Sequence, residues 1–274
     1  MNNVEYYFFL CRNNDFPYPN YIDNYLYNEY EKLTKINCSQ LKNINICLPV
    51  IYQFHRSIWN CNKKNYLSPL SGWYDDKILL KCIENRLKYK GDKLSLDNIR
   101  DGLTIAQLAP KISIFRPYLA KYLVYKYINE FDAVFDPCAG YSGRMLGVCS
   151  LGKKYIGQDI NETTICESFL LKKFLNLTQA ELLIKNSVCD TGEYECLFTC
   201  PPYSDKETWG DIPDILTADE WIDVCLKNYK CKKYLFVVDK TEKYKANIVE
   251  KISNKSHFSN SCEYVVLINR TLNK

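Results

Sequence analysis

From about residue 131 onward, short β-branched or apolar runs alternate with stretches whose apolar positions recur every three to four residues. Strands buried on both faces read as continuous apolar runs, whereas the helices covering them show one apolar stripe, so the alternation predicts a parallel α/β sheet. Strands are expected at 133–135, 154–157, 181–185, 196–200 and 234–238, with helices over 162–175 and 218–228 in the intervals. A helix over 246–252 and a strand over 263–268 would finish the sheet at one edge. Upstream, Ile78, Leu79, Cys82, Ile83 and Leu87 fall at helical spacing before Gly91 and predict a helix over 76–90 with a glycine stop. Pro117 opens a second helix over 117–129. The polar run NCNKKNYLSPLSG between Trp59 and Trp73 reads as a long loop. Tyr6 to Tyr30, crowded with Tyr, Phe and Asn around Phe16-Pro17-Tyr18-Pro19, reads as an aromatic, loop-rich surface or cap with no regular element. No internal repeat or low-complexity tract interrupts the chain.

Composition narrows the class. With 274 residues, 47% of them apolar and 25% charged, the chain can bury a sizeable core, which sets aside disordered and small disulfide-scaffold readings. No apolar run approaches the roughly 18 residues that a membrane helix needs, and Met1-Asn2-Asn3-Val4-Glu5 lacks the order of a secretory signal. No membrane partner is expected, and a cytoplasmic setting with reduced thiols is. The 14 cysteines form no CxxC, and His55 and His257 lie far apart, so no metal is expected and most thiols read as small core hydrophobes.

The net charge of +4 is unevenly spread. Residues 51–130 carry 14 Lys/Arg against 7 Asp/Glu, whereas residues 131–274 carry 18 against 20. Such a basic stretch is either a solvated face or a surface for a phosphate backbone.

The candidate chemistry lies at the ends of the predicted strands. Val134 to Gly147, VFDPCAGYSGRMLG, is an apolar strand that ends in Asp136-Pro137 and turns through Gly140 and Gly143 into a helix. Such a turn brings backbone N–H groups and a helix N-terminus to the carboxyl edge of the sheet, where open α/β folds bind ligands. The next strand, YIGQD, ends in Asp159, 19 residues after Gly140, where a carboxylate can accept both hydroxyls of a ribose. The third strand leads to Asp190, which could accept from an adenine amino group. The fourth ends in Thr199-Cys200-Pro201-Pro202-Tyr203, where two prolines fix the Cys200 and Pro201 carbonyls beside an aromatic ring. Each feature has a plain alternative: a tight turn without ligand, helix-capping carboxylates, and a proline turn.

DPCAGYSGR followed by YIGQD, VCD and TCPPY resembles the S-adenosylmethionine-dependent amino-methyltransferases of DNA, whose motifs read like DPFxGxG and [DNS]PP[YF]. The resemblance covers about 113–239, including ISIFRP just upstream of the first motif. It implies an α/β fold, a Rossmann-like class I methyltransferase sheet flanked by helices. It also implies S-adenosylmethionine held by Phe115, Pro117, Asp136, Pro137, Cys138, Ala139, Gly140, Asp159, Ile160 and Asp190. A base flipped out of a DNA duplex, adenine or cytosine, would be held at Cys200, Pro201, Pro202 and Tyr203 and methylated on its exocyclic amine. Two positions depart from the pattern. Ser142 stands where the second glycine is common, and Cys200 stands for Asp, Asn or Ser, being closest in size to the Ser variant associated with cytosine. Cys200 also invites attack on carbon 6 of a pyrimidine, although Pro-Pro-Tyr fits amine recognition better.

On this reading residues 111–274 are the methyltransferase domain, and residues 1–110 are a mostly helical and loop-rich extension that engages DNA or reads its sequence, the alternative being a cap over the methyl-donor pocket. Arg56, Lys63, Lys64, Lys88 and Lys90 are the candidate nucleic-acid contacts, with Trp59, Trp73, Arg86, Lys93 and Arg100 beside them and Trp209 in a lid over the pocket. Asp239-Lys240-Thr241 would border the same pocket. The expected function is DNA base methylation, alone or as the modification half paired with a restriction enzyme. The rival readings are an RNA base-amine methyltransferase and a methyltransferase-fold protein that binds nucleic acid without turnover.

Overall fold

The apolar runs after residue 131 become strands β1 (Ala133–Asp136), β2 (Lys154–Asp159), β3 (Ala180–Ile184), β4 (Gly192–Glu193), β5 (Cys196–Thr199), β6 (Tyr229–Lys230), β7 (Lys233–Val238), β8 (Ile248–Ser256) and β9 (Ser259–Asn269). The helices are α1 (Asn3–Arg12), α2 (Asp23–Lys35), α3 (Leu48–Phe54), α4 (Pro69–Tyr74), α5 (Asp76–Lys90), α6 (Leu96–Ile105), α7 (Pro117–Tyr127), α8 (Gly143–Cys149), α9 (Glu162–Phe174) and α10 (Ala218–Asn228). The structure, a computed structural model, describes residues 2–202, 216–256 and 259–270. Tyr203 and Trp209 lie outside the described residues.

Seven strands form one sheet in the order β3-β2-β1-β5-β7-β9-β8. β1 pairs in parallel with β2 and β5, β2 with β3, and β5 with β7, whereas β9 runs antiparallel to both β7 and β8. Leaving out the two-residue strands, the order reads 3-2-1-4-5-7-6, the Rossmann-like sheet of class I methyltransferases that the motifs imply. The direction in which successive strands are added reverses between β1 and β5, so the crevice at the carboxyl ends of these two strands is the place where such a sheet takes a ligand. Phe135, Leu197, Tyr229, Tyr234, Phe236 and Val266 make a buried apolar cluster on the sheet.

The described residues divide into two compact units. Those of Met1–Asn20 and Arg56–Ser113 form one, and those of Tyr21–His55, Ile114–Ser204 and Pro213–Lys274 form the other. The boundary therefore does not fall once, near residue 110; the segment 21–55 belongs with the sheet. Lys121 on α7 shows why: its buried ammonium donates to the carbonyl oxygens of Leu33, Thr34 and Ile36, capping the C-terminal end of α2.

In the first unit, α5 follows its sequence signals. Asp75 accepts from the Ile78 N–H at its start, Gly91 stops it with φ 74°, and Leu79, Cys82 and Ile83 are buried. Phe16 packs against Trp59 and Trp73 with ring centroids 5.7 Å apart in both pairs. Both tryptophans are buried, which corrects their assignment to a nucleic-acid surface. Arg100 is buried as well, 2.5 Å from Asp97 and 2.9 Å from Asp101, with its guanidinium over the Trp59 ring. Arg86 is also buried, its stem lying where Gly102 of α6 has no side chain. Arg86 and Arg100 bury their long apolar stems, and Trp59 and Trp73 their rings, so these four residues are core.

Three regions differ from expectation; in the first, the stretch between Trp59 and Trp73, read as a long loop, turns into α4 from Pro69. Residues 6–30, read as loop, contain α1 and the start of α2. α1 opens with a capping box in which Asn2 accepts from the Glu5 N–H and the Glu5 carboxylate accepts from the Asn2 N–H. Residues 246–252, read as helix, form a short 3-10 turn and then β8. Burial across 249–253 alternates, with Ile252 buried and Val249, Lys251 and Ser253 exposed, a period of two fixed by pairing with β9. Glu250 ties this edge to α7 by accepting from the hydroxyls of Tyr122 at 2.9 Å and Tyr127 at 2.8 Å.

Candidate functional site

β1 ends in Asp136, and its carboxylate organises the switch point. It is fully buried, and it accepts from Arg144 Nε at 2.7 Å, Tyr155 Oη at 2.8 Å, Thr199 Oγ1 at 2.8 Å and the Cys138 N–H at 3.2 Å. β1, β2, β5 and α8 thus converge on one side chain. The expectation that Asp136 contacts the cofactor is corrected: both of its oxygens are used internally, and none of its surface is open. Burial works against the Arg144 charge, but Asp136, and next Cys200, outweigh it and raise the guanidinium pKa, so Arg144 stays a cation. Arg144 also donates to the Cys138 carbonyl oxygen and lies 5.1 Å from the centroid of the Phe115 ring.

The turn after β1 is built from two left-handed residues, Gly140 with φ 55° and Ser142 with φ 62°. The Gly140 N–H donates to Asp159 Oδ2 at 2.9 Å, and the Asn161 N–H donates to Oδ1 at 3.0 Å. The turn and the acidic end of β2 are therefore joined by a direct hydrogen bond. Burial raises the Asp159 pKa, and the two backbone donors oppose it. Asp159 keeps part of its surface open, and the neighbouring Ile160 is 48% exposed. Ser142 Oγ lies 2.8 Å from His55 Nε2 and 2.8 Å from Ser168 Oγ.

The segment before α7 lies against this turn. A Cβ on Gly143 would stand 1.9 Å from the Phe115 carbonyl oxygen, so only glycine permits the approach. Pro117 is buried at the first turn of α7, and the Phe115 ring meets Phe198 of β5 edge-on at 5.8 Å. Phe115, Pro137, Cys138, Ala139, Gly140, Asp159 and Ile160 are thus gathered at one end of the sheet. Pro117, Pro137 and Ala139 are buried, so they shape the turn and expose little side chain. Asp190 sits in the loop after β3 and pairs with Lys185 at 3.1 Å, which commits one of its oxygens.

Cys200 and Pro202 are half-buried and Pro201 is buried at the end of β5, the strand beside β1. Thr199 precedes them and is anchored on Asp136, so one carboxylate sets the position of both motifs. Asp239 and Thr241 follow β7, and Thr241 is buried and donates to Asp219. Cys138 carries a thiol whose pKa burial pushes well up, which makes it a poor nucleophile. No group of three or more His, Cys, Asp or Glu able to hold a metal occurs among the described residues. No helix among them is long and apolar enough to cross a membrane.

Arg56, Lys64, Lys88 and Lys90 are exposed and Lys63 half-buried, all in the first unit. Arg56 lies over the Tyr18 ring at 5.2 Å and Lys88 near the Tyr89 ring at 5.6 Å. The sequence did not single out Arg144, Tyr155 and Thr199, which hold the switch point, or His55, Glu167 and Ser168, which lie beneath the turn. Arg144 could have been read from its place eight residues after Asp136, in the first turn of α8; the others carry no local signal.

No family model matches the chain, and no curated protein does. Solved structures do. The N-terminal domain of human METTL16 in complex with SAH is similar with a TM-score of 0.39 and 10% identity, over 61% of this chain and 78% of that one. TrmN from Thermus thermophilus has a TM-score of 0.42 and 12% identity, over 57% of this chain and 49% of its own. An rRNA methylase from Streptococcus thermophilus has a TM-score of 0.39 and 13% identity, over 58% of this chain and 100% of its own. The fold assignment stands on the strand order and register of this chain itself.

Proposed function

We propose that this protein is an S-adenosylmethionine-dependent methyltransferase that acts on the exocyclic amine of a nucleic-acid base, with DNA as its substrate. One observation carries the reading: Asp136 joins the Gly140 turn at the end of β1 to the Thr199-Cys200-Pro201-Pro202 segment at the end of β5, while Asp159 is bonded to the same turn. A donor motif and an acceptor motif on neighbouring strands are what transfer between two bound groups requires.

The residues present fit the cofactor. Asp159 is a partly open carboxylate for the ribose hydroxyls, and Ile160 offers an exposed apolar wall for a flat ring. Gly140 sits in the left-handed region, which glycine adopts without the penalty of a Cβ. When bound, S-adenosylmethionine supplies an electrophilic methyl group. The chain orients the amine. A base amine is a poor nucleophile because its lone pair is conjugated with the ring, and carbonyl acceptors at Cys200 and Pro201 would draw its N–H bonds toward a tetrahedral nitrogen. Cys200 is then a fixed carbonyl with a weakly accepting side chain; attack requires no strong general base, and the methylated nitrogen afterwards releases its extra proton to solvent.

Radiolabelled S-adenosylmethionine offered with duplex DNA, transfer RNA and ribosomal RNA in parallel tests the reading. Label is expected in DNA, on a base amine after digestion to nucleosides. Label in RNA alone would move the substrate and keep the chemistry. Asp159→Ala should weaken S-adenosylhomocysteine binding by about 1–3 kcal/mol, the cost of leaving ribose hydroxyls without an acceptor. Calorimetry with no wild-type binding at millimolar ligand would refute the cofactor assignment.

A further inference from the structure

His55 has no place in the chemistry above, yet it is fully buried directly beneath the turn. It follows α3, which packs on α9, and its ring bridges three elements. Nε2 lies 2.8 Å from Ser142 Oγ, Nδ1 faces Glu167 Oε2 at 3.3 Å, and Tyr141 of the turn meets the ring edge-on at 5.5 Å. Ser142 Oγ continues to Ser168 Oγ at 2.8 Å, and Ser168 donates to the Thr164 carbonyl oxygen at 2.9 Å. α9, which carries Thr164, Glu167 and Ser168, starts just after Asp159, so the same helix is joined to both supports of the turn.

Ser142 is the residue that needs holding. It sits at φ 62°, ψ 4°, a left-handed conformation that glycine adopts without strain and other residues resist. Its hydroxyl cannot take part in nucleophilic chemistry, because the side chain is buried with its oxygen engaged on two sides. We infer that His55 is a positioning residue that holds Ser142 in the left-handed turn, taking over the role a glycine would have at that position in shaping the cofactor cradle. The cofactor part of the inference rests on the proposed function. The tether does not depend on the charge of the ring. Ser142 donates to Ser168 and Ser168 to the Thr164 carbonyl oxygen, so Nε2 carries a proton and donates to Ser142 whether the ring is neutral or charged.

The test compares the wild-type chain with His55→Leu, Ser142→Gly and the double variant. Two quantities are read: S-adenosylhomocysteine affinity by calorimetry, and amide hydrogen exchange across 138–147 without ligand. His55→Leu should weaken binding by about tenfold or more, as expected for loss of a buried hydrogen bond, and speed exchange in the turn. Adding Ser142→Gly to His55→Leu removes both partners and should restore both quantities to within about threefold of wild type, since glycine needs no tether. Unchanged exchange in His55→Leu, or a defect that persists in the double variant, would overturn the inference. If His55→Leu does not fold, recovery of folding in the double variant supports the tether and continued unfolding refutes it. If wild type does not bind S-adenosylhomocysteine, the cofactor reading fails, and the exchange comparison still decides the role of His55.

Discussion

At the scale of single residues, charge in this chain is placed inside as well as outside. Lys111, read only as part of a basic stretch, is largely covered, lies 5.0 Å from the Trp59 ring, and has its pKa lowered to about 8 by burial. The sign follows: a lysine whose folded pKa is depressed favours the folded state above its unfolded pKa near 10.5 and loses that contribution as pH falls through about 8. At pH 7 its charge therefore opposes folding. Lys111→Met should raise stability by about 1–2 kcal/mol at pH 7, after the cation–π attraction to Trp59 is subtracted, and the gain should shrink toward pH 10.5. Urea unfolding at both pH values checks this, and equal effects at the two would refute it. Residues 51–130 therefore read as a more basic surface than the fold presents, since Arg86, Arg100 and Lys121 in that span are buried. Composition counts charges but cannot say which heads find internal partners.

At the scale of elements, α7 and α8 form the seam that carries the turn. A Cβ on Gly147 would stand 2.5 Å from the Ala120 Cβ and 2.6 Å from the Pro117 carbonyl oxygen. Gly147→Ala gains about 1 kcal/mol of helix propensity, yet it should lower stability by about 1–3 kcal/mol net, because backbone on the facing helix cannot yield. A raised urea midpoint would show that the seam is looser than its geometry. The helix start at Pro117 was legible because proline and apolar periodicity coincide there. α2 was not, although Leu26 and Leu33 are buried at a spacing of seven, because exposed Tyr25 and Tyr27 flank the first of them and blur the apolar stripe. β8 was misread because a short apolar segment fits either period until a partner strand selects one.

At the scale of the whole molecule, we propose that the first unit engages the nucleic acid. Changing Lys63, Lys64, Lys88 and Lys90 together to Gln should weaken DNA binding and flatten its salt dependence, by about 0.9 in log–log slope for each phosphate that is no longer neutralised. S-adenosylhomocysteine affinity should be unchanged, since none of the four belongs to the turn. An unchanged slope would make them solvated surface and move the search to Lys77, Lys81 and Lys93, further exposed lysines of the same unit.

The sequence alone determined the strands of the parallel part of the sheet, the strand-to-helix turn and the acidic residue at the end of β2, because each of these depends on neighbours within about twenty positions. Alternation of apolar runs, glycine placement and motif order are local properties, and local physics enforces them. Tertiary structure decided what those residues do to each other. It turned Asp136 from a ligand candidate into the buried junction of four elements, since its partners Tyr155 and Thr199 arrive from strands 19 and 63 residues away. It also brought His55 under a turn 87 residues further along. A buried polar group must find its partners wherever packing delivers them, and packing is a property of the folded chain.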